Sequence, residues 1–416
     1  MDKQYFTMDD FDFKGKTVLL RADLNSPLAP DGSIEDSERI AAHANVVREL
    51  SGKGARTAVL AHQGRVFGKD FLPLKQHAVL LERHSGVRVQ YLDALFSDDV
   101  TVKLGAMRDG DVLLLENTRF YSEEASEVSD ASQYAKALFV RRLSAAADYF
   151  VNDAFSVSHR AQASVVGFPQ MLPSAAGRNM ERELIGLAKA LEHAERPNVY
   201  VLGGAKPDDV YGLLKFALSY SAVDKILVSG VLGELCLAAS GISVGYSKEF
   251  YFKQQGFDKI IPELKQFLAS APSGKAVLPS DMAVEEDKAR AEYPVSELAR
   301  HGRLMPYDIG AKTIAEFSAT ISSAKTVYYK GPQGFYENPL FENGTRTVLK
   351  AIESSRAFSL MGGGHSLSAL AKFGIDKGKI SHISLAGGAV VEYLQGRKLP
   401  GIEALKASFR KAGGPT

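Results

Sequence analysis

Charged and amide side chains recur in this chain directly after short apolar runs. Arg21, Asp23 and Asn25 follow the first run, and His62, Gly64 and Arg65 follow the second. Glu116, Asn117 and Arg119 follow the fourth; Asn152 and Asp153, with His159 and Arg160 just beyond, follow the fifth. Arg39 opens the amphipathic stretch after the first run. A guanidinium fork matches carboxylate and phosphate oxygens, so several arginines on one edge make a site for a small polyanion. In the second half the equivalent positions are glycine: Gly203-Gly204, Gly230, Gly331, Gly362-Gly363-Gly364 and Gly387-Gly388. Glycine lets backbone approach a ligand, and a helix that follows offers N–H groups to an anion. The fullest case is Pro197 to Phe216, where an apolar strand meets Gly203-Gly204, Lys206 and then Pro207-Asp208-Asp209 at a helix start. Lys206 supplies a mobile cation for a phosphate. Neither a Walker A spacing nor a GxGxxG with its distant acid is present, which disfavours a P-loop and a nicotinamide cofactor. Arginines for an acidic phosphorylated molecule and glycine loops for a triphosphate are the parts that phosphoryl transfer needs, since it depends on positioning and positive charge.

The elements that carry these residues read as two similar layers. Apolar segments at 17–25, 57–65, 87–93, 111–120 and 148–156 alternate with helical patterns such as Ser37 to Leu50 and Leu74 to His84. That alternation predicts a doubly wound parallel sheet with ligands at the carboxyl ends of its strands. Strands at 199–202, 225–229, 326–330, 357–361 and 382–386 repeat the pattern. Residues 174–196 read as one helix stopped by Pro197, with a domain boundary near Pro173. The expected fold class is α/β, with two doubly wound, Rossmann-like parallel-sheet domains (1–173 and 197–395) joined by that central helix, a cleft between them, and a tail from 396 to 416. A chain of 416 residues accommodates two cores. Net charge of +1 gives no general attraction to nucleic acid or membrane, and no run approaches a membrane span. The N-terminus is acidic and mixed, unlike a signal peptide. Cys236 is the only cysteine and lies in an apolar run, which fits a buried thiol and a reducing cytoplasm. The acidic run Ser122 to Asp130 reads as an exposed loop.

RADLN, HQGR, ENTRF, VNDAFSVSHR, GGAK, GPQGFYE, FENGT, MGGGHS and HIS-x-x-GGA occur in this order along nearly the whole chain. Together they resemble the phosphoglycerate kinase family, and PDD after GGAK looks like its archaeal branch. The resemblance implies reversible phosphoryl transfer between 1,3-bisphosphoglycerate with ADP and 3-phosphoglycerate with ATP, by hinge closure of two domains in a cytoplasmic monomer. It implies that Asp23, Asn25, Arg39, His62, Arg65, Arg119 and Arg160 hold the glycerate substrate. Arg39, Lys206, Gly387 and Gly388 would be catalytic, the glycines placing a helix start opposite the transferring group. Gly203, Gly204, Lys206, Gly230, Lys330, Glu337, Gly362, Gly363, Gly364, His365 and Ser366 would form the nucleotide site, with Glu337 on the ribose. The tail would return to the first domain. Magnesium would accompany ATP or ADP.

Four departures from the family pattern fall on the nucleotide side. Val210 stands where a second lysine is usual, Lys330 where asparagine is usual, and His365 where an aspartate ligates magnesium; Leu385-Ala386-Gly387-Gly388-Ala389 replaces T-G-G-G-A. Magnesium prefers oxygen, leaving Asp209 and the nucleotide phosphates to hold it. Lys330 would carry positive charge to the phosphates from another strand, and His365 would bond a phosphate oxygen. The departures also motivate two other readings, a non-catalytic binding or regulatory protein and a kinase with an altered acceptor or nucleotide. Candidate walls for the base are Leu278 to Ala283 and Val231 to Leu235.

Overall fold

The computed structural model of the chain describes residues 3–128 and 130–414, apart from the side chain of Asp209. The chain divides into two compact units, one running to Leu184 and resuming at Lys398, the other spanning Ile185–Arg397.

The first unit is built on seven parallel strands: β1 (Phe6–Thr7), β2 (Thr17–Arg21), β3 (Arg56–Leu60), β4 (Val89–Tyr91), β5 (Val112–Leu114), β6 (Tyr149–Asn152) and β7 (Ser174–Ala176). Their spatial order is β1-β7-β6-β2-β3-β5-β4. Every residue of β2, TVLLR, is buried, as expected for a parallel sheet covered on both faces. Val18, Leu20, Val59 and Val151 enter one apolar layer; Leu19, Ala58, Leu60 and Phe150 enter the other. Strand order reverses at β2, which pairs with β3 on one side and with the later β6 on the other. The loops after β2 and β6 therefore diverge at a topological switch point. Ser37 caps the helix Glu38–Gly52 by accepting from the Ile40 N–H, which sets Arg39 in its first turn.

Residues 174–196 are not one helix. Ser174, Ala175 and Ala176 are fully buried in β7 between β6 and β1, and the helix begins only at Arg178 and ends at Ala190. The small residues that suggested helix are what a crowded sheet position accepts, so tertiary pairing overrides propensity. Gly177 makes the junction, because a Cβ there would lie 2.4 Å from Asp153 Oδ1. The helix Pro400–Lys411 packs within this unit: Gly401 N–H donates to the Ser158 carbonyl at 2.9 Å, and Phe409 meets Phe6 edge-on at 4.8 Å.

The second unit contains β8 (Asn198–Leu202), β9 (Lys225–Val228), β10 (Ala276–Val277), β11 (Asp281–Glu286), β12 (Ala289–Pro294), β13 (Pro306–Ile309), β14 (Thr326–Lys330), β15 (Phe358–Gly362) and β16 (His382–Ser384). Six of them form a parallel sheet, β10-β9-β8-β14-β15-β16, whose switch point lies between β8 and β14. The other three form an antiparallel sheet, β12-β11-β13, which the strand–helix alternation does not predict. Its hairpin turns on Asp287 and Lys288, at φ 50° and 63°, a primed-type turn without the glycine that would signal it.

Candidate functional site

Asp23 is the hub of the first unit's site. Its buried carboxylate accepts from Arg39 at 2.8 Å, from the Asn25 N–H at 3.2 Å and from the Ser156 hydroxyl. Burial pushes this carboxyl up, but Arg39, His62, Ser156 and His43 outweigh it and hold the group well below the usual carboxylate range. The ionised Asp23 fixes Arg39, which also donates to the Asn25 carbonyl at 3.2 Å. The Asn25 side chain accepts from the Gly64 N–H at 2.8 Å and so ties this loop to the one carrying His62 and Arg65. Gly64 has φ 69°, and a Cβ on it would meet the Asp70 carbonyl oxygen at 2.3 Å; only glycine fits that turn.

Cations crowd around this hub. Arg21 is wholly buried and donates to Ser164 Oγ at 2.9 Å, to the Ala22 carbonyl and to His62 Nδ1 at 3.2 Å. It is scaffold, closed off from any ligand. Burial and Arg21, with Arg119 and Arg160, push His62 well below its ordinary range, so its ring is neutral and the proton sits on Nε2. Arg119 donates to the Gly64 carbonyl; burial and the charges of Arg160 and Arg21 lower its guanidinium to about 10. Arg65 is exposed beside them and contributes to the same field. The substrate residues expected from sequence are thus brought to one edge of one sheet. A set of like charges held this closely is stabilised by an anion.

Sequence reasoning missed several supports. The acidic run is not simply an exposed loop: Glu124 is buried and accepts from Ser164 N at 2.8 Å and Ser164 Oγ at 2.6 Å, and while burial lowers the Arg21 guanidinium, Glu124 opposes that shift as a counter-charge. Behind Asp23, His43 Nε2 accepts its N–H at 3.2 Å while Nδ1 donates to Asp153 at 2.5 Å. Asp153 also accepts from the Asn179 N–H and side-chain amide, both at 2.7 Å.

In the second unit the loops after β8, β9 and β14 lock through backbone. Gly203 N–H donates to the Lys330 carbonyl at 2.9 Å, Gly204 to Pro332 at 2.7 Å, Gly230 to Gln333 at 3.1 Å and Val231 to Gly204 at 3.1 Å. A Cβ on Gly331 (φ 84°) would lie 2.2 Å from the Gly203 oxygen. These glycines serve close loop-to-loop approach, and their N–H groups are not the anion cradle that the strand–glycine–helix pattern predicts. The helix Gly364–Lys372, entered through Gly363 at φ 98°, supplies first-turn N–H groups of the kind an anion takes up. Ser366 Oγ instead accepts from Gly331 N–H at 3.1 Å and braces the loop.

A cavity of about 590 Å³ lies against these loops. Gly203, Gly204, Lys206, Gly230, Lys330, Glu337, Gly362, Gly363, Gly364, His365 and Ser366 all line it. Val210 lines it too, where a lysine was the family expectation. Gly387 and Gly388 are not among the lining residues; they open the short helix Gly388–Leu394 after edge strand β16. Leu278 to Ala283 do not line it either, because Asp281–Ala283 belong to β11 of the antiparallel sheet. Of the other expected wall, Val231 to Leu235, Val231 and Glu234 line it, joined by Tyr251, Met305, Tyr307 and Phe335. Buried Glu234 pairs with buried Lys248 at 2.8 Å, and Lys248 also donates to the Pro306 carbonyl at 3.3 Å. Burial pushes the Glu234 carboxyl up and Lys248 draws it back. Glu234 is the only charge in the apolar helix GVLGELCLAA, a signal that it needs a partner. Cys236 of the same helix is buried, its thiol pushed up to about 12 by that burial.

The metal expectation at Asp209 rests on a side chain outside the described residues. Among the described residues no three His, Cys, Asp or Glu side chains gather as a metal site.

The family model for phosphoglycerate kinase matches residues 8–397. The chain belongs to the phosphoglycerate kinase family. It is 44% identical over 409 residues to phosphoglycerate kinase of Methanosarcina mazei, covering 98% of this chain and 97% of that one. It is 42% identical to the phosphoglycerate kinase of Methanothermobacter thermautotrophicus, covering 97% of each. The crystal structure of phosphoglycerate kinase from Pyrococcus horikoshii superposes with a TM-score of 0.86 at 33% identity, covering 98% of this chain and all of that one. The family is one of phosphotransferases, and the similarity to archaeal members agrees with the branch suggested by PDD after GGAK.

Proposed function

We propose that this member of the phosphoglycerate kinase family moves a phosphoryl group reversibly between 1,3-bisphosphoglycerate with ADP and 3-phosphoglycerate with ATP. The observation that carries the reading is the presence, on one chain, of a cation-rich site at the first sheet's switch point and a glycine-loop cavity with Lys206 and Lys330 at the second's. Arg65, Arg119 and Arg160 bind the carboxylate and phosphate of the three-carbon acid. Asp23 and Asn25 hold Arg39 and the His62 loop in register for it. Neutral His62 presents an N–H donor rather than another charge. Arg39 and Lys206 neutralise charge on the transferring oxygens, which is most of what such a reaction asks of a protein. In-line transfer needs acid and nucleotide to meet, so turnover requires the two units to come together and exclude water.

Magnesium enters with the nucleotide in this reading. A hard cation takes oxygen ligands, and His365 offers none, so phosphate oxygens carry most of its coordination. Among the described residues no helix is long and apolar enough to cross a membrane, and the single buried cysteine suits a reducing cytoplasm. The two half-sites are tested by calorimetric titration of the whole chain. Lys206→Ala should weaken ADP binding and leave 3-phosphoglycerate binding intact, and Arg65→Ala the reverse. Equal loss of both ligands in either variant would contradict the assignment.

A further inference from the structure

Two wholly buried amides join three loops of the first unit's site. Gln63 stands between His62 and Gly64, and all four hydrogen-bonding positions of its side-chain amide are taken. Oε1 accepts from the Ser26 N–H at 3.0 Å and from His77 Nε2 at 3.1 Å. Nε2 donates to the Ser26 carbonyl at 2.9 Å and to the Asp70 carbonyl at 3.2 Å. A backbone N–H can only donate, so the amide has one orientation and His77 supplies the second proton. Asn117 pairs with the Gln63 backbone as a neighbouring strand would: Oδ1 accepts its N–H at 3.3 Å, and Nδ2 donates to its carbonyl at 2.8 Å. Asn117 Oδ1 also accepts the Arg119 N–H at 3.1 Å. The loops after β2, β3 and β5, which carry Asn25, Arg65 and Arg119, thus meet on one residue. Buried amides paired this fully add little net stability over apolar packing, but they admit a single arrangement.

We infer that Gln63 and Asn117 are positioning residues that set the length of the acid accepted. By fixing the spacing of the Arg65 and Arg119 loops, they select a three-carbon phosphorylated acid over its two-carbon and four-carbon homologues. Being wholly buried, neither amide reaches a ligand; each acts through the loops it holds. The inference rests on the acid reading of this site and adds to it a preference for length.

The test is equilibrium binding of 3-phosphoglycerate, 2-phosphoglycolate and 4-phosphoerythronate to the full chain, with ADP as control. The three-carbon acid should bind at least about tenfold tighter than either homologue, since misplacing one end of a ligand by about 1 Å costs that much or more. Gln63→Met keeps the volume and removes the four side-chain bonds. It should weaken 3-phosphoglycerate about tenfold, bring the three acids within about threefold of one another and leave ADP unchanged. His77→Leu, a milder change, removes one of those bonds and should lower the preference about threefold. A third measurement needs no variant: saturating 3-phosphoglycerate should slow amide exchange at Ser26 and Gln63 about threefold more than saturating 2-phosphoglycolate does. A folded Gln63→Met or His77→Leu chain with the wild-type ratio, or equal protection by the two acids, would reduce the amides to stabilisers and overturn the inference. A wild-type chain that binds the three acids alike would overturn length selection and leave the acid site standing. One that binds none of them would overturn the acid reading and length selection together.

Discussion

The two units put their chemistry at the same place, the switch point of a parallel sheet, and hold it by opposite means. The first uses side chains: Asp23 fixes Arg39, Arg21 fixes His62, and Asn25 fixes the Gly64 loop. The second uses main chain: Gly203, Gly204, Gly230 and Gly331 bring three loops within backbone contact, and Lys206 and Lys330 line the cavity beside that platform. A charge network tolerates a changed side chain in proportion to the charge lost. A backbone platform tolerates no Cβ at all where loops touch. The first site is therefore tuned by pH and the second by sterics.

The largest effect should follow Gly331→Ala. Its Cβ would lie 2.2 Å from the Gly203 oxygen at φ 84°, so the β8 and β14 loops must part. We expect a loss of about 4 kcal/mol or more in the second unit's stability and no measurable ADP binding, with 3-phosphoglycerate binding kept. Retained ADP affinity would mean the loops are not a platform. Asp23→Asn should cost about 2 kcal/mol, because it removes the buried charge that holds the partly exposed Arg39, and should weaken 3-phosphoglycerate while sparing ADP. Denaturant midpoints and separate titrations of the two ligands check both.

The pH response separates the units further. His77 in the first unit is buried and its imidazole is lowered to about 4 by that burial. Its stabilising contribution is present above pH 6.5 and is lost as pH falls through about 4, up to about 3 kcal/mol; His62 acts in the same direction. Asp308 in the second unit is raised to about 6 by burial, against Gly344 N–H and Arg290, which draw it down. Its contribution is present below pH 3.8 and is lost as pH rises through about 6. Between pH 6.5 and 4, amide hydrogen exchange should show protection falling in the first unit relative to the second. His77→Asn should flatten that trend, and equal loss in both units would break the comparison. The smallest effect should come from Lys330→Ala, about a tenfold rise in KM for ATP as one partly solvated charge is removed from the cavity wall. Undiminished turnover and affinity would remove Lys330 from the nucleotide site.

The contrast also governs what could be read in advance. Asp23, His62 and Arg119 are legible because a side chain announces its own chemistry and the strand periodicity puts each just after a strand's carboxyl end, while Arg39 is marked by the helix start and Arg160 by the segment beyond β6. The glycines are legible as positions only. Whether the N–H of Gly203 faces a phosphate or the Lys330 carbonyl depends on which loops pair, and that is tertiary. Glu124 is hidden in an acidic run because Ser164 and Arg21, which accompany it in the interior, are far from it along the chain. The 281–309 sheet escapes because Asp287 and Lys288 turn its hairpin without glycine. Ser174-Ala175-Ala176 reads as helix until its neighbours in the sheet are known.

The central claim is that side-chain and backbone half-sites together make a phosphoryl-transfer enzyme despite His365 and Val210. Coupled turnover of the purified chain with 3-phosphoglycerate and ATP tests it most directly, run with magnesium and then with EDTA. The account predicts turnover that EDTA abolishes, the metal being carried by the nucleotide. A correctly folded chain with no turnover in magnesium, manganese or cobalt would contradict it.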